Sequence, residues 1–219
     1  MLGAIIGDIV GSRFEFDNHK STEFELFHRD CAYTDDTVCT IAVAAWINGN
    51  ESGSPRFAEH LQQWCREFPH PKGGYGLKFA DWIMQPNPSA YGSYGNGSAM
   101  RIAPVGWVYG TLEKTIQAAK EISEVTHNHP EGIRGAQAVA TAIYLARTGC
   151  SKQEIKQQIT ERFGYNLDRN CGQIRPVYTF DETCQGTVPE AIIAFLEGKD
   201  FEDCIRLAVS LGGDTDTLA

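Results

Sequence analysis

Helical spacing of apolar residues runs along most of this 219-residue chain. Apolar side chains recur every three or four positions, which is typical of helices that bury one face. The apolar-polar alternation of a half-buried strand is nearly absent. A hydrophobic content of 42% is sufficient for a sizeable core. The pattern therefore predicts an all-α fold, with residues 1–219 forming a single domain.

Capping residues mark where several of the predicted helices begin. Thr34 would cap a helix over residues 35–46, and Ser151 would cap one that ends at residue 163. Further helices are predicted over residues 3–15, 56–68, 76–84, 99–109, 113–125, 131–147, 189–196 and 201–210. Residues 85–97 are predicted to be a loop, and residues 166–186 an irregular segment with one short extended piece.

Charge and cysteine content narrow the partners and the compartment. A net charge of −9 argues against a nucleic-acid backbone or an anionic membrane as the main partner. No apolar run approaches the roughly 18 residues of a membrane span, and the N-terminus lacks a basic region followed by an apolar stretch. The seven cysteines are scattered and never form a C-x-x-C pair, which argues against a zinc site or a disulfide framework. We therefore expect a cytoplasmic protein that contacts no membrane.

Two acidic clusters stand about 180 residues apart, one at 34–37 (Thr-Asp-Asp-Thr) and one at 214–217 (Asp-Thr-Asp-Thr). If the fold brings them together, four carboxylates share one small volume, and burying them without counter-ions is costly. Hard divalent cations prefer oxygen ligands and would remove this cost. Each cluster alone is equally consistent with a capped helix start, because acidic residues favour the first turn. An EF-hand is excluded because the chain stops before the glutamate that its loop requires. The combination predicts a two-metal site.

Other segments allow both a structural and a functional interpretation. Gly3, Gly7 and Gly11 form a stripe that predicts close helix packing. Asp8 and Glu15 lie seven residues apart, so on one helix they would share a face that points either at the acidic site or at solvent. The loop around residues 93–101 enters a helix, where free amides favour an anion, although a simple turn would look the same.

The pair His127 and His129 offers two imidazoles at the start of a predicted helix. Zinc is poorly supported there, because neither a cysteine nor a third histidine stands at ligand spacing. A contact between a loop histidine and a ligand's hydroxyl or phosphate group is the functional alternative.

These segments stand in the order G-A-I-I-G-D-x-x-G-S-x-F-E, Y-T-D-D-T, G-N-G-S-A-M-R-x-A-P, T-H-N-H-P and L-G-G-D-T-D-T. Together they resemble the ADP-ribosylglycohydrolase family, which includes the dinitrogenase reductase-activating glycohydrolase. The resemblance implies a compact orthogonal helical bundle with a binuclear metal cleft. It also implies a Mg²⁺-dependent hydrolase of the N- or O-glycosidic bond between ADP-ribose and an acceptor, with two Mg²⁺ that Mn²⁺ can replace.

The resemblance also assigns roles to individual residues. The implied metal ligands are Thr34, Asp35, Asp36, Asp214, Asp216 and Thr217. Glu15 and Asp36 are the implied catalytic residues, with Glu15 transferring a proton beside the metals. The implied ADP-ribose contacts are Gly92, Ser93, Tyr94, Gly95, Asn96, Gly97, Ser98 and His127. In this scheme the amides of residues 95–98 hold the pyrophosphate and Tyr94 packs on a sugar or on the adenine.

Two departures from the family pattern bear on function. Family members continue from the second acidic motif into a further long helix, and this chain stops at Leu218-Ala219, so we expect a truncated C-terminal helix. Ser93 stands where arginine-directed relatives carry an aspartate, which favours O-linked ADP-ribose. The expected partner is ADP-ribose, or an ADP-ribosylated protein or small molecule, and the expected state is a monomer. The alternatives are an inactive ADP-ribose-binding or structural relative, and a hydrolase of another ADP-ribose derivative or nucleotide glycoside.

Overall fold

A computed structural model describes residues 1–49 and 54–219 of the chain. The helices are α1 (Leu2–Gly11), α2 (Asp35–Asn48), α3 (Ser54–Glu67), α4 (Leu77–Ile83), α5 (Gly97–Met100), α6 (Ala103–Val108), α7 (Leu112–Glu124), α8 (Pro130–Arg147), α9 (Lys152–Phe163), α10 (Cys171–Ile174), α11 (Cys184–Glu197), α12 (Phe201–Ser210) and α13 (Thr215–Leu218). Extended pairing within these ranges consists of two isolated bridges, Thr34 with Lys72 and Gly95 with Thr183. The all-α prediction is confirmed.

Helix α8 lies at the centre of the fold and packs against α5, α6, α7, α9 and α11. Its small side chains serve two cores at once. Ala136 and Ala140 belong to a cluster built with α2, α3 and α7. Ala138 and Ala142 belong to a second cluster built with α9, α11 and α12. Small residues on both faces let the neighbouring helices approach closely from either side. Within the described ranges, no helix has both the length and the apolar character needed to cross a membrane.

The predicted caps of α2 and α9 are confirmed. The Thr34 side chain accepts a hydrogen bond from the backbone N–H of Asp36 at 3.2 Å. Ser151 and Glu154 form a reciprocal capping box at the start of α9. In both cases a side-chain oxygen satisfies an amide that has no partner within the helix, so the start of the helix is determined locally.

Helix α1 ends at Gly11, four residues before the predicted end. The Gly11 carbonyl accepts hydrogen bonds from the Thr215 hydroxyl at 2.8 Å and from the Phe14 N–H at 2.8 Å, so the helical ladder stops there. Glu15 therefore lies beyond the helix, and the prediction that it shares a helical face with Asp8 is wrong.

Three further boundaries differ from prediction. The segment predicted as one helix over 99–109 is two short helices, and Pro104 stands in the first turn of the second one. Helix α11 begins five residues before Pro189, because Thr183 caps it by accepting from the Gly186 N–H at 3.1 Å. The irregular segment over 166–186 contains the short helix α10, capped by Asn170, and an extended residue, Thr183, that forms the isolated bridge with Gly95.

The glycine stripe of α1 packs against the C-terminal residues. A Cβ atom on Gly7 would lie 2.2 Å from the carbonyl carbon of Ala219, and one on Gly11 would lie 2.2 Å from the Thr215 carbonyl oxygen. These positions accept only glycine, because a Cβ would collide with backbone atoms. The packing interpretation of the stripe is confirmed for these two positions, and it brings the last acidic cluster against the first helix.

Candidate metal and ligand site

Carboxylates from both ends of the chain meet at one site. Glu15, Asp214 and Asp216 each offer an oxygen atom, and the three oxygens lie within 4.8 Å of one another. The first turn of α2 supplies Asp35 and Asp36, and burial and then the negative charge of Asp216 raise the pKa of each. The structure therefore brings the two acidic clusters together, as the sequence predicted.

Asp8 holds the first turn of α2 against α1. Its side chain is 1% exposed and accepts hydrogen bonds from the Thr34 N–H at 3.1 Å, the Thr34 hydroxyl at 2.8 Å and the Thr37 N–H at 3.1 Å. The Thr37 hydroxyl donates a fourth bond. Burial raises the pKa of Asp8, although these four hydrogen bonds favour its charged form and act in the opposite direction.

Glu15 reaches the site from the turn that follows α1. Its carboxyl group packs beside Gly73, where a Cβ atom would lie 2.8 Å from Glu15 Oε2. Burial and then the charge of Asp216 raise the pKa of Glu15 to about 8, and the ammonium group of Lys72 acts in the opposite direction. A carboxyl group with such a pKa exchanges protons near neutral pH.

Asp214 enters the site through two glycines with left-handed backbones, Gly212 (φ +75°) and Gly213 (φ +72°). It is the residue before α13, but its side chain makes no capping bond. Its Oδ2 instead accepts a hydrogen bond from Asn96 Nδ2 at 2.6 Å. Burial raises the pKa of Asp214 to about 6, and the bond from Asn96 counteracts part of this rise. The interpretation of this cluster as a plain capped helix start is therefore wrong for Asp214.

Asp36 and Asp216 are two further acids with raised pKa values. Both are buried, and burial together with neighbouring carboxylates raises the pKa of each well above its usual range. Asp216 Oδ1 is buried and receives no hydrogen bond from the described residues. A buried carboxylate oxygen without a donor requires a proton or a cation.

The donor set fits a hard divalent cation, because every candidate ligand offers oxygen. The buried, unpartnered Asp216 Oδ1 agrees with this. Thr217, the next residue, is half-buried. The Thr34 hydroxyl donates its proton to Asp8. The individual ligand assignments, and the presence of two ions, stay predictions.

The loop before α5 lies against the acidic site. Asn96 anchors it, donating to Asp214 from its side chain and to the Glu182 carbonyl oxygen from its backbone N–H at 2.7 Å. The Gly95 N–H donates to the Ser93 hydroxyl at 3.2 Å. These two amides are already used within the protein, so the prediction that loop amides hold a pyrophosphate now rests on Gly97 and Ser98.

The other predicted ligand contacts fall into exposed and buried groups. Tyr94 is 49% exposed, and the Gly92 N–H donates to Asn128 Oδ1 at 2.8 Å. Ser98 is fully buried and its hydroxyl donates to the Gly132 carbonyl oxygen at 2.7 Å, so this side chain ties the loop to α8.

The two imidazoles have different positions. His129 caps α8 by accepting from the Glu131 N–H at 3.1 Å. His127 lies buried under the glycine loop, with Nε2 3.1 Å from the position of a Cβ on Gly97. Burial and then the charge of Arg101 lower the pKa of His127 well below its usual range, so the ring is neutral at pH 7.

Sequence reasoning missed the residues that support the site. The anchoring role of Asp8 had a signal, since an aspartate inside an apolar helix must find donors when it is buried. No sequence signal indicated Lys72 and Gly73, which lie beside Glu15, because these contacts join distant parts of the chain. The same holds for Glu182, whose carbonyl oxygen binds Asn96.

The chain is similar to known proteins along its whole length. The profile of the ADP-ribosylglycohydrolase family matches residues 1–219. The chain is similar to the ADP-ribosylhydrolase ARH3 of Xenopus tropicalis, with 24% identity over 100% of this chain and 82% of the relative. It is similar to the ADP-ribosylarginine hydrolase Tri1 of Pseudomonas putida, with 25% identity over 100% of this chain and 66% of the relative. A solved structure titled ADP-ribosylglycohydrolase-related protein complex shares the fold, with a TM-score of 0.75 and 24% identity over 99% of this chain and 81% of the other.

Proposed function

Because the chain belongs to the ADP-ribosylglycohydrolase family, we propose that it hydrolyses the glycosidic bond between ADP-ribose and an acceptor, with Mg²⁺ as cofactor. One observation carries the proposal. Asn96 joins the glycine loop to Asp214 of the acidic cluster at 2.6 Å, so a ligand lying along the loop would reach the carboxylates. The names of the relatives ARH3 and Tri1 support the same reaction class.

The reaction breaks the bond between the anomeric carbon of the distal ribose and the acceptor atom. The oxygen of a water molecule bonds to that carbon, and the acceptor leaves with a proton. Glu15 is the group best placed to hold or transfer this proton, because its carboxyl group lies at the acidic cluster. Asp8 takes no part in the proton transfer, since both of its oxygens hold Thr34 and Thr37.

The acidic cluster would hold the cofactor through Asp35, Asp36, Asp214 and Asp216, with Thr34 and Thr217 as further oxygen ligands. Bound Mg²⁺ would neutralise the carboxylates and supply Lewis acidity. The structure of the loop supports contacts of Tyr94 and His127 with the ligand, since the first is exposed and the second lies under Gly97.

The residue at position 93 bears on the acceptor. Ser93 lies in the loop with its hydroxyl accepting from Gly95, and no carboxylate stands at that position. We therefore propose an O-linked acceptor before an arginine-linked one. A cytoplasmic location and a monomeric state stay predictions.

The test is release of free ADP-ribose from serine-linked, arginine-linked and nucleotide-linked substrates, with Mg²⁺ and with EDTA. We expect Mg²⁺-dependent release from the serine-linked substrate. Asp35→Asn should lower the rate at least about 100-fold, because it removes a charged group from the reacting site. Asp81→Asn is the matched control, since Asp81 is exposed on α4, and it should keep the wild-type rate.

The circular dichroism spectrum of Asp35→Asn should match the wild type, which separates loss of chemistry from loss of fold. A wild-type rate in Asp35→Asn would contradict the metal-site assignment. Binding of ADP-ribose without release from any of the substrates would identify an inactive ADP-ribose-binding relative instead.

A further inference from the structure

A fully buried arginine lies behind the glycine loop, and none of the described carboxylates pairs with it. Arg101 is 1% exposed, and its Nη2 donates to the Ile122 carbonyl oxygen at 3.1 Å and to Thr126 Oγ1 at 2.9 Å. None of the ion pairs between described residues includes it. A buried charge without a counter-ion is costly, and the hydrogen bonds that Arg101 donates offset part of this cost.

Thr126 connects this arginine to His127 through hydrogen bonds. Its Oγ1 lies 2.7 Å from His127 Nδ1. A guanidinium group can only donate, so Thr126 Oγ1 must accept from Arg101. Among the described residues, His127 Nδ1 is the other hydrogen-bond partner of this hydroxyl. A buried hydroxyl proton without an acceptor is costly, so the hydroxyl donates its single proton to Nδ1. Nδ1 is then the acceptor, and a neutral imidazole in this state carries its own proton on Nε2.

The protonated nitrogen faces the glycine loop. A Cβ atom on Gly97 would lie 3.1 Å from His127 Nε2, and one on Gly95 would lie 3.6 Å away. Because both positions are glycine, neither residue places a side chain in front of Nε2. Burial and then the positive charge of Arg101 lower the pKa of His127, which keeps the ring neutral.

We propose that Arg101 and Thr126 are positioning residues that hold His127 in the Nε2–H form, so that it donates a hydrogen bond to an acceptor oxygen of the ligand at the glycine loop. The identity of that ligand as ADP-ribose rests on the proposed function. The tautomer itself does not, since it follows from the contacts of the ligand-free protein. The oxygen that His127 selects is an acceptor, such as a phosphate or sugar oxygen, and a donor group at this position would be rejected.

The experiment uses the whole chain with ¹⁵N-labelled histidine side chains, and the His127→Gln variant assigns the resonances. At pH 7 we expect wild-type His127 to show the nitrogen shifts of an unprotonated Nδ1 and a protonated Nε2. Thr126→Val keeps the side-chain shape but removes the hydroxyl, and it should give a mixture of tautomers or the Nδ1–H form. Thr126→Ser keeps the hydroxyl and should retain the wild-type pattern.

A second readout is the affinity for ADP-ribose, measured by calorimetry. Thr126→Val should weaken it about tenfold, in line with one lost hydrogen bond to a charged group, and Thr126→Ser should restore it. An Nδ1–H ring or an imidazolium in the wild type would overturn the proposal, and this spectrum decides even if Thr126→Val does not fold. An altered tautomer with unchanged affinity would overturn the donation to the ligand. If the wild type shows the expected tautomer but does not bind ADP-ribose, the proposed function fails while the role of Arg101 and Thr126 in setting the tautomer stands.

Discussion

At the scale of single residues, the donors around each carboxylate decide what it can do. Asp8 accepts four hydrogen bonds and serves as an anchor. Asp214 accepts one from Asn96, and Oδ1 of Asp216 accepts none from the described part of the chain. Within one small volume, the aspartates therefore range from one whose hydrogen-bond acceptors are all in use to one with an oxygen free to bind a cation.

The raised acid pKa values predict how the stability of the metal-free protein depends on pH. Glu15 has a pKa of about 8 in the folded state against 4.5 ordinarily, so the folded protein keeps a proton that the unfolded chain has already lost. Stability must then fall as the pH rises from about 4.5 to about 8. We expect the thermal midpoint of the protein in EDTA to decrease across this range.

Glu15→Gln removes this titration, so it should flatten the decline, and added Mg²⁺ should raise the midpoint more at pH 8 than at pH 5. The measurement is a thermal melt at a series of pH values. A midpoint in EDTA that rises steadily from pH 5 to pH 8 would contradict the pKa assignments.

At the scale of elements, the close approach of α1 and α13 builds the site. The Thr215 hydroxyl donates to the Gly11 carbonyl oxygen, and the backbone atoms of the two helices leave no room for a Cβ on Gly11. Helix α1 carries Asp8, which binds Thr34 and Thr37 of the first acidic cluster, and α13 carries Asp216 of the second. The contact between α1 and α13 therefore sets the distance between the two acidic clusters.

Gly11→Ala should push α13 away from α1, because the new Cβ would collide with a backbone carbonyl that cannot rotate away. We expect a loss of about 1–3 kcal/mol in the free energy of unfolding, together with weaker Mg²⁺ binding. Gly76→Ala is the matched control, since a Cβ there meets nothing within 4 Å and the backbone needs no positive φ. Urea denaturation and Mg²⁺ titration give both quantities, and equal stability of the two variants would argue against the tight contact.

At the scale of the whole molecule, the site joins the beginning and the end of the described fold. Thr34 to Thr37 and Asp214 to Thr217 are about 180 residues apart in sequence. An ion bound between them would stabilise the folded state by about 2.7 kcal/mol at a concentration 100 times its dissociation constant.

Saturating Mg²⁺ should therefore slow amide hydrogen exchange at both the first turn of α2 and α13, because opening either end releases the ion. The Asp216→Asn variant should lose the added protection at both ends. Protection confined to one end, or equal exchange with and without Mg²⁺, would show that the two clusters do not share an ion.

Local features of the sequence predicted much of this architecture. The sequence predicted the starts of α2 and α9 from Thr34 and Ser151, and the bounds of α12 from the apolar repeat of residues 201–210. These predictions were possible because caps and periodicity act within about four residues. The end of α1 at Gly11 could not be predicted in this way, because the partner of its carbonyl, Thr215, is 204 residues away.

The sequence by itself determined the helical class, the capped helix starts and the presence of two acidic motifs and a glycine loop, all of which depend on neighbouring residues. Only the tertiary structure decided that Asp8 anchors α2, that Asn96 binds Asp214 and that Thr126 orients His127. Asp8 and Asn96 find their partners through the packing of helices that are distant in sequence. Thr126 and His127 are adjacent, but the direction of their bond depends on Arg101, which only the folded chain places there.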